Sequence, residues 1–229
     1  MLSSSFGRIT IVLSFRAILF DLDGVLVDSE AVVVRSWQRW AERHNLHIPD
    51  LVRRAHGRRS VETIREVAPH LDADAEAKWL EGLELDDPKD LRLIPGAAPL
   101  FRSIPDHHRA VVTSGGRRLA EFRLASVGLS VPRVLVNADD VQRGKPAPDG
   151  YLLAAEQLGA SPGDCLVVED APAGIAAGRA ARAVVLGIAT TFPAADLQQA
   201  DVVVASLAGV SAILVGDQVL VTISEESLA

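Results

Sequence analysis

The sequence predicts an α/β fold built on a doubly wound parallel sheet, with a helical domain set into it. Two observations carry this. Short apolar runs recur at residues 17–20, 110–112, 134–136, 166–168, 183–186 and 202–205, each rich in Val, Ile or Leu, as strands buried on both faces read. Stretches of helical character lie between several of them, at 117–126, 149–158 and 173–180. Strand alternating with helix implies a parallel sheet wrapped by helices.

Taken in order, the chain begins with a short apolar stretch at 9–13 that lacks a small-residue cleavage pattern. It reads as an extra segment ahead of the first core strand, not as a signal peptide. The core strand at 17–20 follows. From about residue 30 to 91 the rhythm breaks. No strand-like run occurs, and Val32, Val33, Trp37, Trp40 and later Val61, Ile64 and Val67 fall at helical spacing. All three tryptophans, Trp37, Trp40 and Trp79, lie here and are expected to pack between helices. The reading is a helical cap domain over 31–92, with Asp28 capping its first helix, inserted into a core formed by 15–30 and 93–229. The polar stretch at 86–90 and Pro95-Gly96 mark the return to the core. Near the C-terminus, alternating residues flank Gly216-Asp217, which predicts a hairpin.

The bulk numbers bound the function. A chain of 229 residues, 48% apolar, holds one large domain with room for a smaller one. A net charge of -7 is the reverse of what phosphate-binding nucleic-acid partners call for. No apolar run approaches the ~20 residues of a membrane span. The single cysteine, Cys165, sits in an apolar run, reads as a core residue and fits a reducing compartment. A cytoplasmic monomer is the expectation.

Ligands of a doubly wound sheet bind beyond the carboxyl ends of its strands, and four runs end in chemistry there. The first ends in Phe20-Asp21-Leu22-Asp23-Gly24 and the second in Val112-Thr113-Ser114-Gly115-Gly116. The run at 166–168 ends in Glu169-Asp170, and the run at 134–136 leads to Gly144-Lys145-Pro146. Adjacent parallel strands would gather these in one crevice. Asp21, Asp23, Glu169 and Asp170 would repel one another there. A hard divalent cation resolves the conflict, and magnesium takes oxygen ligands. Thr113, Ser114 and Lys145 add donors and a positive charge suited to phosphate. A metal, a lysine and amide donors around one anion are what phosphoryl transfer needs.

At these residues the chain resembles the phosphatase branch of the haloacid dehalogenase superfamily, whose core is Rossmann-like, over nearly all its length from about residue 15. The stretch from Phe20-Asp21-Leu22-Asp23-Gly24 to Val27-Asp28-Ser29 is similar to the family's first motif, Thr113 to the second, Lys145 to the third and Glu169-Asp170 to the fourth. Val168-Glu169-Asp170-Ala171-Pro172-Ala173-Gly174, Gly187-Ile188-Ala189-Thr190-Thr191 and His56-Gly57-Arg58-Arg59-Ser60 resemble sugar phosphatases and glycerol-phosphate phosphatases. The resemblance implies that Asp21 attacks phosphorus and that Asp23 serves as acid and then base. Magnesium would be held by Asp21, the Asp23 carbonyl and Asp170, with Glu169 nearby, while Thr113, Ser114 and Lys145 hold phosphate. On the cap, His56 and Arg59 are expected to reach the substrate, a small phosphorylated sugar or polyol. The alternatives are a beta-phosphoglucomutase-like mutase and a phosphoglycolate phosphatase. Arg58, His44, His47, His107 and His108 read as packing or surface groups, and Asp139-Asp140 as a loop pair.

Overall fold

The computed structural model describes residues 10–229. Ile9, at the start of the N-terminal apolar stretch, lies outside the described residues. In chain order the elements are β1 (Thr10–Phe15), β2 (Ala17–Phe20), β3 (Val27–Asp28), α1 (Glu30–Arg43), α2 (Leu51–Ala55), α3 (Ser60–Val67), α4 (Ala73–Leu85), β4 (Arg92–Leu93), α5 (Ala97–Ser103), β5 (Arg109–Val112), α6 (Arg117–Ser126), β6 (Val134–Val136), α7 (Asp149–Leu158), β7 (Cys165–Glu169), α8 (Pro172–Ala180), β8 (Val184–Ile188), β9 (Val202–Val204), β10 (Val210–Val215) and β11 (Gln218–Ser224).

Six strands form one parallel sheet in the order β6-β5-β2-β7-β8-β9. Successive residues of each strand point to opposite faces, and both faces are buried. Ile18, Phe20, Val111, Leu166 and Val168 join a cluster with Leu100 and Phe101 of α5 and Leu124 of α6. Leu19, Ala110, Val112, Cys165 and Val167 join a second with Tyr151 of α7 and Ile175 of α8. Two-sided burial is why these runs are continuously apolar. Burial also pushes the Cys165 thiol up to about 12, consistent with its expected packing role.

The helices α1 to α4 share a third cluster, in which Trp37, Trp40, Leu51, Ile64 and Leu80 are buried. The Trp37 and Trp40 rings meet edge to face, 5.4 Å apart. β3 and β4 pair antiparallel, Val27 with Leu93 and Asp28 with Arg92, where the chain leaves for these helices and returns. Ser29 occupies the N-cap position of α1, but its hydroxyl makes no capping bond and donates to Asp23 Oδ1 at 2.6 Å; Asp28 Oδ1 accepts from the N–H of Glu30, the first residue of the helix, at 3.4 Å.

The predicted hairpin is β10–β11, closed by Gly216-Asp217 between the paired Val215 and Gln218. Gly216 has φ +62°, the conformation a tight two-residue hairpin turn needs at its first position. The extra N-terminal segment is β1, which pairs antiparallel with β11 and completes a three-stranded sheet.

Candidate active site

The site lies where β2 has β5 on one side and β7 on the other. Asp21 follows β2, Thr113 follows β5, and Glu169 and Asp170 close β7. The backbone N–H of Asp21 donates to Val168 O and that of Thr113 to Val136 O, so both residues are held in line with the sheet. Asp21, Thr113, Lys145, Glu169 and Asp170 are all buried. The turn after Asp21 is tight: Gly24 has φ +75°, and a Cβ there would come within 1.9 Å of Asp170 Oδ2. Only glycine lets Asp21, Asp23 and Asp170 approach this closely.

Lys145 reaches in from the loop after β6. Its Nζ donates to Asp21 Oδ1 at 2.7 Å and Glu169 Oε1 at 2.6 Å. Tyr151 donates to the same Glu169 oxygen at 2.6 Å, and Glu169 Oε2 accepts from the backbone N–H of Asp170 and Ala171. Glu169 is therefore the brace for Lys145. Burial disfavours the Lys145 cation, but the two carboxylates outweigh it and hold its pKa above the ordinary lysine value. Asp21 is pushed well above the usual carboxylate range, mainly by burial; Lys145 opposes this, while Glu169, Asp170 and Asp23 add to it.

Asp21, Glu169 and Asp170 bring ligand oxygens within 4.8 Å of one another. Three carboxylates against Lys145 and the His56 ring beside Asp170 still leave an excess of negative charge. Asp170 Oδ1 is buried without a hydrogen-bond partner among the described residues, a costly state for a carboxylate oxygen. This donor set fits a hard divalent cation.

A small cavity of about 70 Å³ lies between the helices and the sheet, lined among others by Asp21, Asp23, Trp37, His56, Glu84 and Arg123. A larger cavity of about 510 Å³ lies beyond Trp37 and His56, against Ile48, Leu51 and Phe192. Asp21 and Asp23 line the smaller one and not the larger. Ser114 Oγ donates to Gly57 O at 2.9 Å, tying the core to the loop before α3. His56 Nε2 lies 3.0 Å from Asp170 Oδ2. Arg59 lines a second small cavity together with Thr113, Ser114 and Lys145. Its donors go to Glu62 and to the carbonyls of Ala138, Val141 and Gln142, so it also fastens α3 to the loop after β6. Three residues at the site carried no signal in the sequence: Tyr151, Glu84 and Arg123. The Arg123 guanidinium donates to Asp23 Oδ2 at 2.6 Å.

His56 gives a pH prediction. Burial works against its charged form, but the hydrogen bond to Asp170 and the fields of Asp170, Asp23 and Asp21 prevail and raise it to about 9. A raised histidine contributes stability that is complete below its ordinary value near 6.5 and is lost as pH rises through about 9. Metal-free protein is expected to lose on the order of 3 kcal/mol across that window. Chemical denaturation at several pH values, compared with His56→Asn, checks it; equal slopes in the two proteins would refute the assignment.

Residues 15–182 match the family model described as haloacid dehalogenase-like hydrolase. The chain is 39% identical over 197 residues to hexitol phosphatase A of Escherichia coli K12, covering 84% of this chain and 91% of that one. It is 32% identical over 244 aligned positions to a beta-phosphoglucomutase of Mycobacterium tuberculosis, covering 84% and 90%. Among solved structures, a hydrolase from Pseudomonas syringae superposes with a TM-score of 0.77 at 25% identity, covering 84% of this chain and 94% of that one.

Proposed function

Because the chain belongs to the haloacid dehalogenase-like hydrolase family, we propose that it is a magnesium-dependent phosphatase that hydrolyses small sugar or polyol phosphates through an acyl phosphate on Asp21. The observation that carries this reading is the buried grouping of Asp21, Asp170, Glu169, Lys145 and Thr113 at the ends of adjacent parallel strands. Its similarity to hexitol phosphatase A points to the substrate class.

Asp21, whose side chain lines the cavity, attacks phosphorus through a carboxylate oxygen. The bond from phosphorus to the leaving oxygen breaks, and Asp23 gives that oxygen its proton. Water then attacks the acyl phosphate and passes a proton to Asp23. The bond between phosphorus and Asp21 breaks, inorganic phosphate leaves, and the Asp21 carboxylate returns. Splitting the displacement in two lowers each barrier. Lys145, braced by Glu169 and Tyr151, offsets charge on the transferring group. Thr113 Oγ1 accepts from the Gly115 N–H, which leaves its hydroxyl proton for phosphate. Asp21, Asp170 and the Asp23 carbonyl would hold the magnesium ion, with Glu169 nearby; when bound, it neutralises the carboxylates and the phosphoryl charge. The helices α1 to α4 cover the cavity and supply discrimination beyond the phosphate, chiefly through Trp37 and His56, with Arg59 securing them to the core.

A second reading, a phosphosugar mutase, draws on the beta-phosphoglucomutase relative. One assay separates the two. With magnesium present, hexitol and hexose phosphates are expected to release inorganic phosphate with kcat/KM at least about tenfold above p-nitrophenyl phosphate, about 1.4 kcal/mol of barrier. Conversion of glucose 1-phosphate into glucose 6-phosphate without free phosphate would make it a mutase. No release from any sugar or polyol phosphate would defeat the proposal.

A further inference from the structure

Arg123 lies on α6, outside every stretch that marks the site in the sequence, and is buried. One arm, Nη1, donates to Asp23 Oδ2 at 2.6 Å; the other, Nη2, donates to Glu84 Oε2 at 2.5 Å. Glu84 is buried on α4, so it approaches from the helical segment, whereas Asp23 and α6 belong to the sheet layer. The remaining oxygen of Asp23 accepts from Ser29 Oγ at 2.6 Å. The carboxylate is thus held on both oxygens, by a hydroxyl on one side and by one arm of a planar, permanently charged guanidinium on the other, whose second arm is fixed by Glu84.

Stability alone accounts poorly for this arrangement. A buried guanidinium between two carboxylates must recover the hydration that all three groups lost, and replacing such clusters with apolar side chains is often neutral or stabilising. Charge balance at phosphorus does not require it either, since Lys145 occupies the Asp21 side of the site. What Arg123 does contact is Asp23. We propose that Arg123 is a positioning residue: it sets the orientation of the Asp23 carboxylate that takes the proton of the attacking water, and Glu84 completes its hold when the helical segment is docked on the core. The proposal rests on Asp23 acting as the acid and base of the reaction described above.

A residue that acts through Asp23 leaves two marks. Its loss lowers kcat with little change in KM, because it does not hold phosphate. Its loss also costs nothing further once Asp23 cannot transfer a proton. The test is a double-mutant cycle on a hexitol phosphate at saturating magnesium. Arg123→Met is expected to lower kcat by about thirtyfold or more with KM within about threefold. Arg123→Lys, which keeps the charge but not the fork, is expected to recover part of the loss. Asp23→Asn/Arg123→Met is expected to be no slower than Asp23→Asn alone, the mark of coupled residues. Arg123→Met strands Glu84 as a buried unpaired carboxylate, so Arg123→Met/Glu84→Gln is measured beside it and should show the same kcat with the fold restored. A kcat for either Arg123→Met protein within about threefold of the unmodified enzyme overturns the proposal, as do defects at Asp23 and Arg123 that multiply. A fully active Asp23→Asn would instead remove the acid–base reading itself, whatever the Arg123 variants do.

Discussion

Asp21→Asn is expected to lower kcat by at least about a thousandfold, about 4 kcal/mol of barrier, while the metal-free protein melts no lower than the unmodified one. The two halves come from one environment. Asparagine keeps the shape of the side chain and its place at the end of β2, but an amide oxygen is a poor nucleophile and an amide cannot form an acyl phosphate. The fold, meanwhile, gains from the change. Burial, reinforced by Glu169, Asp170 and Asp23 and opposed by Lys145, holds the Asp21 carboxyl above its ordinary pKa. An acid raised on folding contributes stability that is complete below its unfolded value and lost as pH rises through the folded one. The ionised form of Asp21 therefore weighs on the metal-free protein, and asparagine removes that weight. Lys145 still keeps its 2.6 Å bond to Glu169. Phosphate release and melting in chelator are the measurements. Retention of more than a few per cent of the rate would take Asp21 out of its role, and a much lower melting temperature would contradict the electrostatic argument.

Removing the metal should have an effect of the same order. Turnover is expected to stop in chelator and return with magnesium, but not with calcium, whose larger and looser coordination misplaces Asp21 against phosphorus. Asp170→Ala is expected to raise the magnesium requirement beyond the ~10–100-fold that loss of an outer-shell partner costs. The ion should also stabilise the fold, by about 2.7 kcal/mol at a hundred times its Kd, because it relieves three crowded carboxylates and the unpartnered Asp170 Oδ1. Full activity in chelator, or no shift in melting with magnesium, would contradict the fit of this site to a divalent cation.

The sheet was legible because its strands are buried on both faces and so write continuous apolar runs. The grouping at its carboxyl ends was legible because each contributing residue directly follows a strand, apart from Lys145, which lies in a loop. The hairpin was legible from Gly216-Asp217. What stayed hidden depends on partners distant in the chain. Arg123 and Asp23 are 100 residues apart, and Arg123 and Glu84 are 39 apart. Arg123 and Glu84 each sit on a helix, where a charged residue reads as solvated surface. Tyr151 gave no sign of its bond to Glu169, since an aromatic residue on a helix reads as packing and here it is packing as well. Arg59 was legible as a charged residue on the helical segment, but the carbonyls that take its donors belong to a loop about 80 residues later, and nothing local announces them. The pairing of β1 with β11 joins the two ends of the described chain, a contact set by tertiary packing that no local pattern encodes.

The central claim is that the phosphoryl group passes through a covalent bond to Asp21, and trapping it is the most direct test. The enzyme, mixed with magnesium and a phosphate-labelled hexitol phosphate, is quenched in acid during turnover and digested. The account predicts label on the peptide containing Asp21, released by hydroxylamine as an acyl phosphate is, and absent from Asp21→Asn. Label on another residue, or continued turnover with no label on Asp21 at any time, would contradict it.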